Sequence, residues 1–186
     1  MQTRDHILLG RYLLDHYHAG VGALRRRMFL FGCVEPDFDL FTYARGSLRH
    51  RFMGGHDAEN MESYLPRLLD KLRRSGVHTP RQWFRLGTAL HYLADKFTFA
   101  HNRAFTGGAV EHGRYEKRLH EVLIRVLCVP HPERIVPNAE AHRRYLAQPQ
   151  HDCRTDLRFI FGTALALCDG LNVFWNADGR IAKTSA

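Results

Sequence analysis

Apolar positions along the chain recur at three- and four-residue intervals, and no stretch alternates convincingly between apolar and polar, which predicts a nearly all-α protein. Residues 3–19 read as a helix capped by Thr3, with Ile7, Leu8, Tyr12, Leu13 and Tyr17 on its inward face and Gly20 and Gly22 ending it. A short helix near 23–30 leads into a loop at 32–39, marked by Pro36 and its acidic neighbours. Met61, Tyr64, Leu65, Leu68, Leu69 and Leu72 form an apolar stripe over 57–74, and Pro66 inside it predicts a kink. Thr79-Pro80 opens the next helix, since a threonine cap satisfies free amides and proline suits the first helical position. That helix is predicted to reach about residue 100. Further helices are expected over 110–128 and 154–174. Between them lies an irregular, proline-bearing stretch with room for one short helix, and a frayed tail follows from Asp178.

Composition narrows the class. A chain of 186 residues, 45% of them hydrophobic, is long enough for one sizeable core, so a single multi-helix domain is expected, with a C-terminal extension over about 121–175. The longest apolar run, Phe159 to Cys168, is interrupted by Gly162 and Thr163 and falls short of a membrane span. The opening residues show no basic segment leading into an apolar one, so a cytoplasmic location is expected. Cys33, Cys128, Cys153 and Cys168 have no metal-knuckle spacing and read as reduced thiols. A net charge of +8 favours anionic partners. The arginine runs at 25–27, 73–74 and 143–144 are nevertheless short and scattered, as solvated helix faces are, and no nucleic-acid-binding motif accompanies them.

The histidines carry more information. His91 and Asp95 stand four residues apart, as do His112 and Glu116, and on a helix each pair projects from one face toward a shared point. One such pair alone is ordinarily a surface ion pair. Two pairs in a short span, with His101 between them, suit zinc, which accepts imidazole nitrogen and carboxylate oxygen. His91 and Asp95 also sit in an apolar row with Leu86, Leu90, Leu93, Ala94 and Phe97, where an uncompensated carboxylate is costly and a metal cation would offset the cost. Further candidates are His6 at the start of the first helix, Asp37 after Pro36, and His56 after paired glycines. His16, His18, Asp39 and His50 are nearby rivals. His78, His120, His131, His142 and His151 read as solvent or packing residues, and Tyr92 and Phe97 as core.

With Leu90-His91-Tyr92-Leu93-Ala94-Asp95, His101 and His112-Gly113-Arg114-Tyr115-Glu116 in this order, the chain resembles the zinc-dependent phospholipase C family, related to the zinc-dependent single-strand-specific nucleases. The resemblance covers roughly residues 6–120. It implies that Asp37, His56, His91 and Asp95 hold one zinc, and that Asp95 bridges to a second that also takes His6. His101, His112 and Glu116 would hold the remaining one. In secreted members a processed N-terminal residue, typically Trp, gives its amino group to a zinc. Here no Trp is near the start, and a helix from Thr3 leaves only Met1 and Gln2 to fold back. Two well-occupied zinc ions are therefore expected, with a third weak, water-filled or absent.

Such a cluster suits transfer of a phosphoryl group to water. Asp37 is the candidate catalytic residue, as a ligand or as the acceptor of the water's proton. A phosphodiester or phospholipid substrate is the favoured expectation. The alternatives are a single-strand nuclease, with nucleic acid as substrate, and a non-catalytic zinc-binding helical protein. A structural site is closed, whereas a catalytic one keeps a position for water or substrate.

Overall fold

The computed structural model describes residues 1–17, 20–38, 64–129, 133–149, 151–171 and 173, and among them every regular element is helical. The order is α1 (Thr3–Tyr17), α2 (Ala23–Gly32), α3 (Glu35–Phe38), α4 (Tyr64–Ser75), α5 (Pro80–Lys96), a 3-10 turn (Phe99–His101), α6 (Ala109–Val126), α7 (Ala139–Leu146) and α8 (Cys153–Gly170). No described helix is long and apolar enough to cross a membrane. The four cysteines are free thiols.

Helix α5 is the axis on which the site is built. Its start is fixed by a capping box: the Thr79 hydroxyl accepts the Gln82 amide, and the Gln82 side chain accepts the Thr79 amide at 2.7 Å. From Leu86 to Asp95 every residue is buried, because α5 is enclosed by α1, α2, α4 and α8. Helix α4 turns Leu65, Leu68, Leu69 and Leu72 inward and Arg67, Asp70, Lys71, Arg73 and Arg74 to solvent, the amphipathic pattern of a helix packed on one side. Helix α8 is the other buried rod. Asp152 caps it by accepting the Thr155 amide at 2.7 Å, and Phe159 meets Phe97, which caps the end of α5, and Tyr145 of α7 ring to ring.

Two glycines set how closely α2 approaches α5. A Cβ at Gly32 would run into the Phe84 carbonyl oxygen, and one at Gly87 into the Phe29 carbonyl oxygen. Backbone therefore meets backbone at this crossing. The C-terminal end of α2 is pressed against the α5 turn that carries His91.

Several boundaries differ from the sequence expectation for local reasons. Residues 35–38, expected in a loop, form one helical turn, because proline is tolerated in the first turn of a helix. Pro66 falls among the first described residues of α4, and the segment 57–63, on which the expected kink depends, lies outside the described residues. Helix α5 stops at Lys96 instead of about 100. The Asn102 side-chain amide takes the Lys96 and Thr98 carbonyls, and a new 3-10 turn carries His101.

Candidate metal centre

The inner face of α5 presents His91 and Asp95, both about 1% exposed. The His91 Nδ1 bonds the Cys33 carbonyl oxygen at 2.9 Å, the contact that the glycine crossing makes reachable, and this aims Nε2 inward. Nε2 lies 3.1 Å from Asp95 Oδ2 and 3.6 Å from Asp37 Oδ1. His6, on α1, stacks on the His91 ring with centroids 3.9 Å apart and brings its Nε2 to 3.3 Å from Asp95 Oδ1. The last distance is a close approach without hydrogen-bond alignment. Both His6 ring nitrogens are buried and neither makes a hydrogen bond.

A second group lies beside the first. His101, His112 and Glu116 each offer one atom within 4.8 Å of the others, as do His6, His91 and Asp95. His101 Nε2 is 3.1 Å from Glu116 Oε1, and His112 Nε2 is 3.4 Å from the same oxygen. All three side chains are partly exposed, whereas the first trio is sealed. Between the groups lies the Met1 amine, 2.7 Å from Asp95 Oδ1, 3.0 Å from His101 Nε2 and 3.4 Å from Glu116 Oε1. Met1 and Gln2 therefore suffice to carry the amine into the cluster. The short reach of this segment, a ground for expecting a weak third metal, is no obstacle.

The charges respond to this crowding. Burial alone would raise Asp95, but the Met1 amine, His101, His91 and His6 hold its carboxyl well below the usual range. Burial, with the neighbouring His91 adding to it, pushes His6 down to about 4, so its imidazole is neutral and ready to donate a lone pair at physiological pH. Burial would lower His91 too, yet Asp95, Asp37 and the Cys33 carbonyl together raise it. Glu116 is held at about 2 against its own burial, by the His101 hydrogen bond and the Met1 amine foremost. For the Met1 amine burial again works downward, and Asp95 and Glu116 outweigh it. A buried carboxylate and a half-buried one among imidazoles, with an ammonium lodged between them, form an environment that demands positive charge.

The residues anticipated from sequence are thus brought together wherever they are described: His6, Asp37, His91, Asp95, His101, His112 and Glu116. His56 and the rivals His18, Asp39 and His50 lie outside the described residues. The rival His16 turns to the exterior and stacks on Tyr12.

A protein-family model described as zinc dependent phospholipase C matches residues 5–157. The chain belongs to the zinc-dependent phospholipase C family. The match continues well past residue 120, where the motif resemblance ends, through α7 and into α8. No curated protein and no solved structure matches the chain. The zinc that the family name implies fits the donors present: imidazole and carboxylate atoms in two compact trios, with the His6 nitrogens otherwise unserved in a dry interior.

Among the contacts that the sequence reading missed is one made by His120. His120, expected to be a solvent or packing residue, bonds Asp5 Oδ1 through Nδ1 at 2.5 Å and so ties α6 to the residue preceding His6. Its signal was the four-residue step of His112 and Glu116, which extends once more to His120.

Proposed function

We propose that the chain is a zinc-dependent phosphodiester hydrolase in which His6, Asp37, His91 and Asp95 hold metal on the buried side and His101, His112 and Glu116 on the open side. The observation that carries this reading is the convergence of six described candidates on two adjoining trios, one sealed and one reachable from solvent, with Asp37 Oδ1 3.6 Å from His91 beside the sealed one. Asp95 faces both trios, 3.1 Å from His91 and 3.9 Å from His101, as a bridging carboxylate would. His56, by motif position, joins the buried side. Two zinc ions are the minimum, because the five candidate ligands His91, Asp95, His101, His112 and Glu116 exceed one tetrahedral shell.

Adjacent zinc ions supply a water with a pKa near ~7 and stabilise charge on the attacking and leaving oxygens of a phosphodiester. The chain's own residues do the rest. Asp37 is the most exposed carboxylate of the buried side; its Oδ2 accepts the Thr3 hydroxyl at 2.7 Å, which fixes the group and presents Oδ1 toward His91. It is the candidate to take the proton of the attacking water. Asp95 stays ionised and keeps the imidazoles oriented. The partial exposure of His101, His112 and Glu116 leaves the open position that catalysis needs and that a structural site lacks. Phospholipid is the favoured substrate, and the chain acts as one domain.

Purified protein, stripped with a chelator and then repleted with zinc, is assayed on phosphatidylcholine vesicles, a chromogenic phosphodiester and single-stranded DNA. Zinc-dependent release of a phosphorylated head group is expected from the vesicles. Cleavage of DNA in preference to lipid would move the substrate to the nuclease alternative. Zinc binding without turnover of any of the three would leave a structural centre and overturn the catalytic reading.

A further inference from the structure

A carboxylate behind the open trio takes no part in the chemistry above. Asp156, in the first turn of α8, is fully buried, and donors from three other elements converge on it. Its Oδ2 accepts the Phe99 backbone N–H at 3.0 Å and the Tyr115 hydroxyl at 2.8 Å, while Oδ1 accepts the Tyr145 hydroxyl at 2.7 Å. Phe99 begins the 3-10 turn that ends in His101. Tyr115 directly precedes Glu116 on α6. A single oxygen therefore joins the short turn that carries one candidate ligand to the helical turn that carries another.

We infer that Asp156 is a positioning residue for the His101–His112–Glu116 metal group, setting through the Phe99 amide and the Tyr115 hydroxyl the separation of the turn and α6 at which the three ligands share one ion. This rests on the metal reading above. The three ligands are partly exposed, so dense packing does not lock them as it locks His6 and His91. A three-residue 3-10 turn is also a weak element whose leading amides have no partner within it. Asp156 supplies that partner for Phe99. The aromatic contact of Phe99 with Tyr115, centroids 6.2 Å apart, lies on the same seam. A buried carboxylate is expensive unless its oxygens are fully bonded, and here all of its bonding is spent on fixing neighbours. The Tyr145 bond provides an internal contrast, because it reaches the same carboxylate from α7, which carries no candidate ligand.

The test is a zinc titration of the full chain followed by the imidazole NMR signals of the individual histidines, in wild type, Asp156→Asn, Tyr115→Phe and Tyr145→Phe. Asp156→Asn and Tyr115→Phe are expected to weaken zinc binding reported by His101 and His112 by about tenfold or more, the scale usual for partners that orient ligands. The His6 and His91 signals should saturate at the wild-type zinc concentration, and Tyr145→Phe should leave both groups unchanged. If Asp156→Asn does not fold, Tyr115→Phe, which keeps the ring and its packing, decides alone. Equal losses at both groups, a loss in Tyr145→Phe as large as in Tyr115→Phe, or no loss in any variant would overturn the inference and leave the metal reading standing. A wild-type chain that binds no zinc at either group would overturn both.

Discussion

The two trios use the same residue types and differ in how they are held. His6, His91 and Asp95 come from α1 and α5, are sealed from solvent, and are aimed by backbone: the Cys33 carbonyl fixes one ring and stacking fixes the other. His101, His112 and Glu116 come from a short turn and from α6, are partly open, and are backed by Asp156, which accepts the Phe99 amide of the turn and the Tyr115 hydroxyl of α6. Burial makes the first trio sensitive to charge, since an unbalanced carboxylate there has no water to turn to. Exposure leaves the second trio the free side from which a substrate can enter. A cluster of this kind gains rigidity on one side and access on the other, and each is obtained at the other's expense.

The largest effect that tests this contrast is expected from the carboxylates. Asp95 faces both trios and the Met1 amine, whereas Glu116 belongs to the open side. Asp95→Asn should reduce zinc affinity at both groups by more than the roughly 100-fold typical of an outer partner, and Glu116→Gln should affect its own group alone. In the zinc-free chain Asp95→Asn should also cost about 3–5 kcal/mol, because it takes the nearer carboxylate from a buried ammonium and leaves it only Glu116, 3.4 Å away. Zinc content by elemental analysis and urea midpoints read the two effects. Similar metal loss in both variants would show that Asp95 does not bridge and that the trios are equivalent.

A smaller and more selective effect should come from Gly87→Ala. The added Cβ meets the Phe29 carbonyl oxygen and must separate α2 from α5, which costs about 3 kcal/mol and draws the Cys33 carbonyl away from His91. Thermal unfolding should shift down, and zinc at the sealed trio should weaken while the open trio, carried by other elements, keeps its affinity. Equal weakening at both would mean that the crossing supports the whole cluster.

Much of this was legible in the sequence, because it is written in local spacing. The four-residue steps of His91 with Asp95 and His112 with Glu116 state which side chains share a face, and Thr79-Pro80 states where α5 begins. What stayed hidden has no local signature. Asp156 is one acid in an apolar helix, and its partners Phe99 and Tyr115 are 57 and 41 residues away. The Met1 amine is 94 residues from Asp95, and Asp5 is 115 from His120, whose own place on the four-residue step of His112 and Glu116 does not reveal that partner. The Gly32 and Gly87 crossing was equally silent, since a glycine chosen for close approach and one chosen for a turn look the same. Pro36 misled for the opposite reason: a strong local signal was read as a breaker, and the chain places it in a first turn, where proline is tolerated.

The smallest expected effect concerns acid on the zinc-free chain, where Glu116 and Asp156 should act with opposite sign. Glu116 is held at about 2, below its ordinary 4.5, so the folded chain favours its charged form. The stability this contributes is complete above 4.5 and is lost as pH falls through about 2. Asp156 is raised by burial from 3.8 to about 6, although the Phe99 amide and the two tyrosines oppose the shift, so the folded chain favours its protonated form. That contribution is complete below 3.8 and is lost as pH rises through about 6. Urea midpoints measured across this range should therefore give a wild-type minus Glu116→Gln difference that grows with pH up to 4.5 and then levels. The wild-type minus Asp156→Asn difference should shrink between 3.8 and about 6. Two differences of the same sign would mean that the open trio and the carboxylate behind it share one electrostatic environment, and the division between an exposed ligand and its buried support would fall.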